Sequence, residues 1–570
     1  MSTTTSLLNC NFGGIRRKDS SFSDAKITCS DCQNVELFFT GLNSGVGIRT
    51  ANGNTSITTY TDAEGNILNL IPEGETVVGM FTSNQGGQDV FIIHTESSTK
   101  GKLYAFDTMS NTLTNIVSVL SVTGNSCGCD FAQGWLDVFI FSNGKEIKYI
   151  YTNTETQARL VVESASNIKL IDTENRPVSG LGIVVFDDRL WVFNGKTLWY
   201  SKQSECRDFN FQDPSTITSA GYIEFVKPIT AIYPYLGSLA VFHKDSSVLV
   251  SVDVETGFKQ DEESPGGCAG YNALVFHGTD LYFYDDTKKG VFSFQQVVNG
   301  DKTLGDNIAY DIQDELTQID PHKLNTIRAL SVVTSDRNEA WFLIPMDATY
   351  ESNGTRKEAS TVLIFDYIRG EWVKRKCQKI NAIAIYNGSL YSGGKHIYEE
   401  YNGLDFNGEF IEAYYTCSNF NLGSDNTLKI TKFPPRATLD GMRKCHFWVQ
   451  YVKNYNELKS VKKKEIQSKT QRSIAYYDKG YRYDSEWIYS INTNTILKFP
   501  SSTFKALEIK LYTTDKGQSF ALKTLEFSKI KVKQVWSLLE LQNTNYSTMV
   551  NVGRCSINTE KFLMLMISIQ

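Results

Sequence analysis

A recurring unit limits what this chain can become: a short apolar, aromatic-rich run, a tight turn of Gly, Asn or Asp, and a second such run. It occurs in "DVFIIHTESSTKGKLYAFD", "WLDVFIFSNGKEIKYIYTN", "LGIVVFDDRLWVFNGKTLWYS", "LGSLAVFHKDSSVLVSVD", "NALVFHGTDLYFYDDTKKGVFSF", "EAWFLIPMDATYES…STVLIFDYIRGEW" and "NAIAIYNGSLYSGGKHIYEEY". These begin at residues 89, 135, 181, 236, 272, 339 and 381. The intervals are irregular but centre near the roughly 40–50 residues of a propeller blade. A lone hairpin cannot bury its faces, whereas radially stacked sheets bury the aromatics of one against the next. The expected fold is all-β: an irregular β-propeller of six or seven blades over 61–404. An N-terminal segment, 1–60, is read as an adaptor-contacting or platform part, and 405–570 as an additional, mostly β C-terminal domain.

The third unit shows the logic. Phe186, Leu190, Trp191, Phe193, Leu198 and Trp199 read as blade-packing residues, since aromatic rings supply large buried area. Asn194-Gly195 reads as the turn. Asp188-Arg189 reads as part of the preceding turn, with a local ion pair worth little at a surface. From Ser201 the pattern breaks into a polar loop, "SKQSECRDFN". Composition agrees with a β fold: 12% aromatic residues, with 29 Tyr and 33 Phe, and 41 Gly against 11 Pro, a balance that favours strands and turns.

The net charge of −6 conceals an asymmetry. Residues 1–428 hold 33 Lys+Arg and 52 Asp+Glu, a net −19, whereas 429–540 hold 22 and 10, a net +12. Such a division points to an oppositely charged neighbour or a polyanion. Lys462, Lys463 and Lys464 are the densest basic run, expected on an exposed basic loop over 454–473, where they are either solvated or a polyanion or partner contact. The closing alternation Phe527, Ile530, Val532, Val535 has strand character.

The start, "MSTTTSLLNCNFGG", lacks the basic and apolar regions of a signal peptide, and no apolar run is long enough for a membrane helix. Eleven scattered cysteines argue against a disulfide framework. Cys29-Ser-Asp-Cys32 and Cys127-Gly-Cys129 lack the further ligands of a structural zinc. No nucleophile elbow, P-loop, zincin or EF-hand pattern occurs. Asp261-Glu262-Glu263 and Glu399-Glu400 are the carboxylates a glycosidase could use, but nothing in the sequence pairs them across space. The expectation is a protein without catalysis, metal, cofactor or small-molecule substrate.

Read in order, several stretches resemble the nozzle, or packaged-DNA stabilisation, proteins of short-tailed bacteriophages, the family that includes tail tubular protein B. The first is "NCNFGGIRRKDSSFSD", with Phe12, Gly13 and Gly14. The second is the hairpin with Arg189 and Leu190 that ends at Ser201 and leads into Asp208-Phe209. The third runs through Gly221 and Ile223 to Ile229, Thr230, Ala231 and Ile232, then Leu239 and Phe242. Gly267-Cys268 opens the fourth, and "IYEEYNGLDFNGEF", with Tyr401, Gly403 and Gly408, resembles the junction out of the propeller. The resemblance covers the chain to about residue 430. It implies a structural protein of the virion, assembled in the host bacterial cytoplasm as a homohexameric ring beneath a portal-adaptor protein and beside other tail proteins. Phage DNA would pass its channel with weak, non-specific contact, because an acidic wall does not gain from counterion release. The loop after Ser201 is then an inter-blade or inter-subunit contact. The alternatives are a carbohydrate-binding or carbohydrate-cleaving propeller, and a scaffold propeller for protein interactions, for which Gly370-Glu371-Trp372 has a faint kelch flavour.

Overall fold

The structure, a computed structural model, describes residues between 4 and 534, with gaps that include 16–25, 41–45, 153–159, 165–177, 211–217, 418–426, 454–461 and 468–495 and several shorter loops. Val535 and the apolar tail of the chain lie outside the described residues.

Alternating apolar residues make the blades, and blade 3 illustrates how. Its strands Gly182–Phe186, Arg189–Asn194, Thr197–Tyr200 and Gly221–Glu224 pair antiparallel in chain order. Because side chains alternate between faces of a strand, Leu190 and Val192 point to one neighbour and Trp191 and Phe193 to the other. The first pair packs with Val138, Ile140 and Tyr149 of the preceding sheet, the second with Leu239 and Val241 of the following one. Both faces are covered, so the middle strand reads as an unbroken apolar run. Phe186, Leu190, Trp191, Phe193 and Leu198 are buried, while Trp199 is half-buried against Tyr222. The turns differ in detail from the sequence reading. Asp187 and Asp188 form the first, both at positive φ, and Gly195-Lys196 the second, with Asn194 still paired to Thr197.

Six further sheets repeat this plan. Blade 1 is built from Thr76–Gln85, Gln88–Glu96, Gly101–Asp107 and Thr112–Leu120, and blade 2 from Cys127–Gln133, Leu136–Ser142, Ile147–Tyr151 and Val161–Ser164. Blade 4 comprises Ala231–Tyr235, Ser238–Phe242, Ser246–Asp253 and Gly257–Gln260. Blade 5 has three strands, Leu274–His277, Asp280–Asp285 and Gly290–Ser293, followed by the short helix Phe294–Asn299. Blade 6 takes Arg328–Val333, Asn338–Ile344, Ala359–Asp366 and Glu371–Gln378. Blade 7 takes Ile380–Tyr386, Ser389–Gly394 and Ile397–Glu400, and its fourth strand is Asn54–Ile57 from the N-terminal part of the chain. The first strands of neighbouring blades lie side by side, including those of blades 7 and 1, and Tyr233–Phe276 and Phe242–Phe283 ring contacts join blades 4 and 5. The ring is a closed seven-bladed propeller.

The sequence boundary at residue 60 therefore does not coincide with the structural one. Strand Asn54–Ile57 belongs to the propeller, and it is too short and too polar to show a strand period. Strands Leu8–Ile15, Lys26–Gln33, Val35–Phe39 and Val46–Thr50 join Tyr414–Cys417, His446–Lys453, Lys462–Gln467, Leu507–Tyr512 and Ala521–Phe527 in one large sheet. Thr427–Thr431 and Ile530–Gln534 pair in a smaller one. Strands from before and after the propeller thus share one β unit, and the propeller is inserted between them. Lys462–Gln467 is a strand, not loop; the rest of 454–473 lies outside the described residues.

Candidate functional site

The loop after Ser201 is built into the blade rather than displayed on it. Arg189, expected at a surface turn, is fully buried as the first residue of its strand. Its Nη1 donates to the carbonyls of Ser201 and Ser219, both at 2.8 Å, and its guanidinium lies over Tyr200 and Phe258. The carboxylate near it is that of Asp187 at 3.7 Å, while Asp188 accepts from the Ser204 hydroxyl. Ser201 Oγ accepts from the Leu190 N–H at 2.9 Å. The loop then folds on itself: Lys202 N–H donates to the Asp208 carbonyl and Asn210 N–H to Asp208 Oδ1. Cys206 and Phe209 enter the apolar layer between blades 2 and 3, Tyr149 donates to the Cys206 carbonyl, and Arg207 covers Tyr151.

The other signature residues sit at similar junctions. Gly221 starts the last strand of blade 3 against the Tyr200 hydroxyl. Ile229 N–H donates to the Gly195 carbonyl and Thr230 N–H to that of Phe242, leading into the fully buried Ala231 of blade 4. At Gly267 the chain passes so close to Lys244 that a Cβ would lie 2.2 Å from its carbonyl carbon, so only glycine fits. Cys268 is buried, with its thiol toward the Gly270 carbonyl. Phe12, Gly13 and Gly14 lie in strand Leu8–Ile15, where Phe12 pairs in parallel with Ile27. Gly403 and Gly408 stand at positive φ in the turns after blade 7.

Tyr401 belongs to a polar seam between the propeller and the terminal sheet. Its hydroxyl donates to Glu339 Oε2 at 3.1 Å, and Arg337 stacks on its ring at 3.2 Å. Arg337 also pairs with Glu339 at 3.2 Å and with Glu36 of the sheet at 3.3 Å. Burial pushes the Glu339 carboxyl above its usual range, opposed by Arg337. Lys374 reaches Asp31 at 2.9 Å, which also accepts from Tyr414. Blade 6 thus offers cations to carboxylates of strands Lys26–Gln33 and Val35–Phe39.

Next to this seam lies the lock of the ring. Arg375 of blade 6, 2% exposed, pairs with Glu400 of blade 7 at 2.5 Å and donates to the carbonyls of Asn52 and Gly53. Glu400 accepts from Asn54 and Ser392, and Gln378 donates to Asn54 Oδ1. A Cβ on Gly53 would fall 1.7 Å from the Asp405 carbonyl oxygen. Three chain segments therefore meet where the N-terminal strand closes the propeller. Sequence reasoning missed this site: Glu400 reads only as one of a carboxylate pair, and Arg375, inside "VKRK", is not singled out, because nothing in the sequence joins the two.

The propeller axis is bridged at one end. Connectors before the first strands of blades 2, 5 and 6 meet across it: Ser126 N–H donates to Tyr271 Oη at 3.0 Å, Asn272 to the Ser126 carbonyl at 3.1 Å, and Asn325 to Asn125 at 3.1 Å. His94 shares a hydrogen bond with Ser126 Oγ, and burial, with Arg328 nearby, pushes its pKa down to about 3. Three of the carboxylates weighed for glycosidase chemistry have partners of their own. Glu263 pairs with Lys227, Glu399 accepts from Ser389 and Asn402, and Glu400 serves the lock. Nine cysteines are described and all are free thiols; burial is the first cause raising Cys29, Cys127 and Cys268. Lys463 and Lys464 are exposed on Lys462–Gln467, the last strand in the sheet's order among the described residues.

No family model and no curated protein matches the chain. Among solved structures it is similar to virginiamycin B lyase from Staphylococcus aureus, at 10% identity and a TM-score of 0.34, over 64% of this chain and 98% of that one. It is also similar to the Pan2 WD40 domain of Neurospora crassa, at 7% identity and a TM-score of 0.34, over 63% and 97%. The chain is a β-propeller protein on the hydrogen bonding of its own seven sheets.

Proposed function

We propose that this chain is a structural subunit of a phage tail, a nozzle protein whose copies form a homohexameric ring that retains packaged DNA and conducts it during ejection. The observation that carries the reading is the distribution of the signature residues. They do not converge on a pocket; they hold blade junctions, the inter-blade loop after Ser201 and the junction with the terminal sheet, as a scaffold requires. The bridged axis supports the same view, because a conduit for a duplex then has to come from a ring of subunits rather than from one propeller. The partners of this reading are a portal-adaptor protein, other tail proteins and the DNA itself, and no catalytic step is assigned.

Electron microscopy of the purified protein is expected to show rings with a central channel; particles without rings at every protein and salt concentration would overturn the reading. The acidic propeller and the lysine-bearing strand suit opposed faces of adjoining subunits. Replacing Lys462, Lys463 and Lys464 with Glu is expected to reduce ring formation more at low than at high salt, because exposed pairs are screened. Rings unchanged at every salt concentration would leave these lysines as guards of a sheet edge.

A conduit must also not grip its cargo. Duplex DNA is expected to bind only in the non-specific range, about 10⁻⁴ to 10⁻⁶ M at physiological salt, and equally for unrelated sequences. Titration of two labelled duplexes checks this. Tight binding that survives physiological salt, or a preference between the two, would favour a DNA-reading role instead.

A further inference from the structure

Beside the bridged axis, blades 6, 7 and 1 leave a cleft of about 290 Å³. Among the described residues, Lys323, Arg328 and Lys379 line it beside the neutral Thr326, Ser360 and Asn381, and no Asp or Glu does. Arg328 is the informative member. It is only 8% exposed, its Nη1 donates to the carbonyls of Asn325 and Ile327 at 2.7 and 3.0 Å, and it faces the Tyr271 ring. Among the described residues no carboxylate pairs with it. Elsewhere in this molecule a buried guanidinium has a carboxylate within ion-pair distance, as Arg375 has Glu400 and Arg189 has Asp187. The two carbonyls and the ring satisfy part of the guanidinium, but a buried charge without a counter-charge is costly, and the described carboxylates nearby are engaged elsewhere. Glu96, the carboxylate on the blade 1 side, is taken up by the N–H groups of Thr123 and Gly124. Asp320 meets Lys323 at 3.4 Å on the exposed side. An apolar wall comes from Val78, Leu343, Pro345 and Ile380, each on or beside a paired strand, with Thr326, Ser360 and Asn381 adding neutral polar groups.

We propose that this cleft binds a small organic anion. Its carboxylate or phosphate head takes the place of the missing counter-charge at Arg328, with Lys323 and Lys379 at the mouth, and its apolar body lies against Val78, Leu343, Pro345 and Ile380. Charge-assisted hydrogen bonds to the head supply orientation, and the volume, at the lower end of ligand pockets, selects a compact molecule. The site is independent of ring assembly, since all its walls come from one chain.

Calorimetric titration of the full chain with benzoate, phenyl phosphate and neutral benzamide tests this. Saturable one-site binding of at least one anion, and none of benzamide, is expected, with the two anions distinguishing a carboxylate from a phosphate head. Both lysines are exposed, so the Lys323→Met/Lys379→Met variant keeps the fold, which far-UV circular dichroism checks. It is expected to bind the preferred anion at least about tenfold more weakly, and added salt is expected to weaken wild-type binding. Equal binding of benzamide, unchanged binding by the double variant, or saturation by neither anion would overturn the proposal.

Discussion

Replacing Arg375 with methionine is expected to destabilise the protein by about 3–5 kcal/mol, the cost of removing one partner from a buried ion pair. The loss falls mainly on Glu400, fully buried and left with hydrogen bonds from Asn54 and Ser392 but without its guanidinium. The Asn52 and Gly53 carbonyls lose their donor at the same time. All these groups hold the strand Asn54–Ile57 in blade 7, so the first consequence is release of that strand and an open ring. Urea denaturation gives the size of the effect, and limited proteolysis near residue 54 its place. Arg375→Met combined with Glu400→Gln removes both charges and is expected to recover part of the loss. If the double variant is no more stable than Arg375→Met, an uncompensated carboxylate is not the cause.

Truncating Trp191 to alanine is expected to cost a similar amount, about 3–5 kcal/mol, as for other large side chains removed from a core. The indole is fully buried, donates to the Phe186 carbonyl at 2.9 Å, and packs at ring-centroid distances of 4.8 and 4.9 Å against Phe258 and Tyr200. Blades 3 and 4 therefore share it, and no nearby chain can collapse into its space without parting two sheets. Trp199→Ala, eight residues along the same hairpin, is expected to cost clearly less because that ring is half-buried on the other face. Equal shifts in the denaturation midpoint for the two variants would refute the assignment of Trp191 to the inter-blade layer.

The contrast between these two sites shows what could be read in advance. Trp191 sits in an apolar run bounded by turn residues, and such runs announce themselves: all seven hairpin units fall in the seven blades. The roles of Phe186, Leu190, Phe193 and Leu198 followed from the same pattern. Arg189 did not, because a charged residue beside two aspartates looks like a surface turn, and only the arrival of the Ser201 and Ser219 carbonyls makes its burial tolerable. Lys462–Gln467 looked like loop because its three consecutive lysines mask the strand, which only its pairing with His446–Lys453 reveals. The cleft around Arg328 gave no signal at all, since Lys323, Arg328 and Lys379 are scattered over more than fifty residues and none belongs to a motif.

Local pattern, then, determined that this chain makes short antiparallel sheets with both faces apolar, and the number of such units bounded the propeller. That much is set by alternation and turn chemistry, which act between near neighbours in the chain. Closure is different in kind. Which strand completes blade 7, why the Asn52 and Gly53 carbonyls meet Arg375, and how strands from before and after the propeller come to share one sheet all depend on groups brought together across hundreds of residues. Burial and charge compensation are properties of those meetings, and only the tertiary structure decides them.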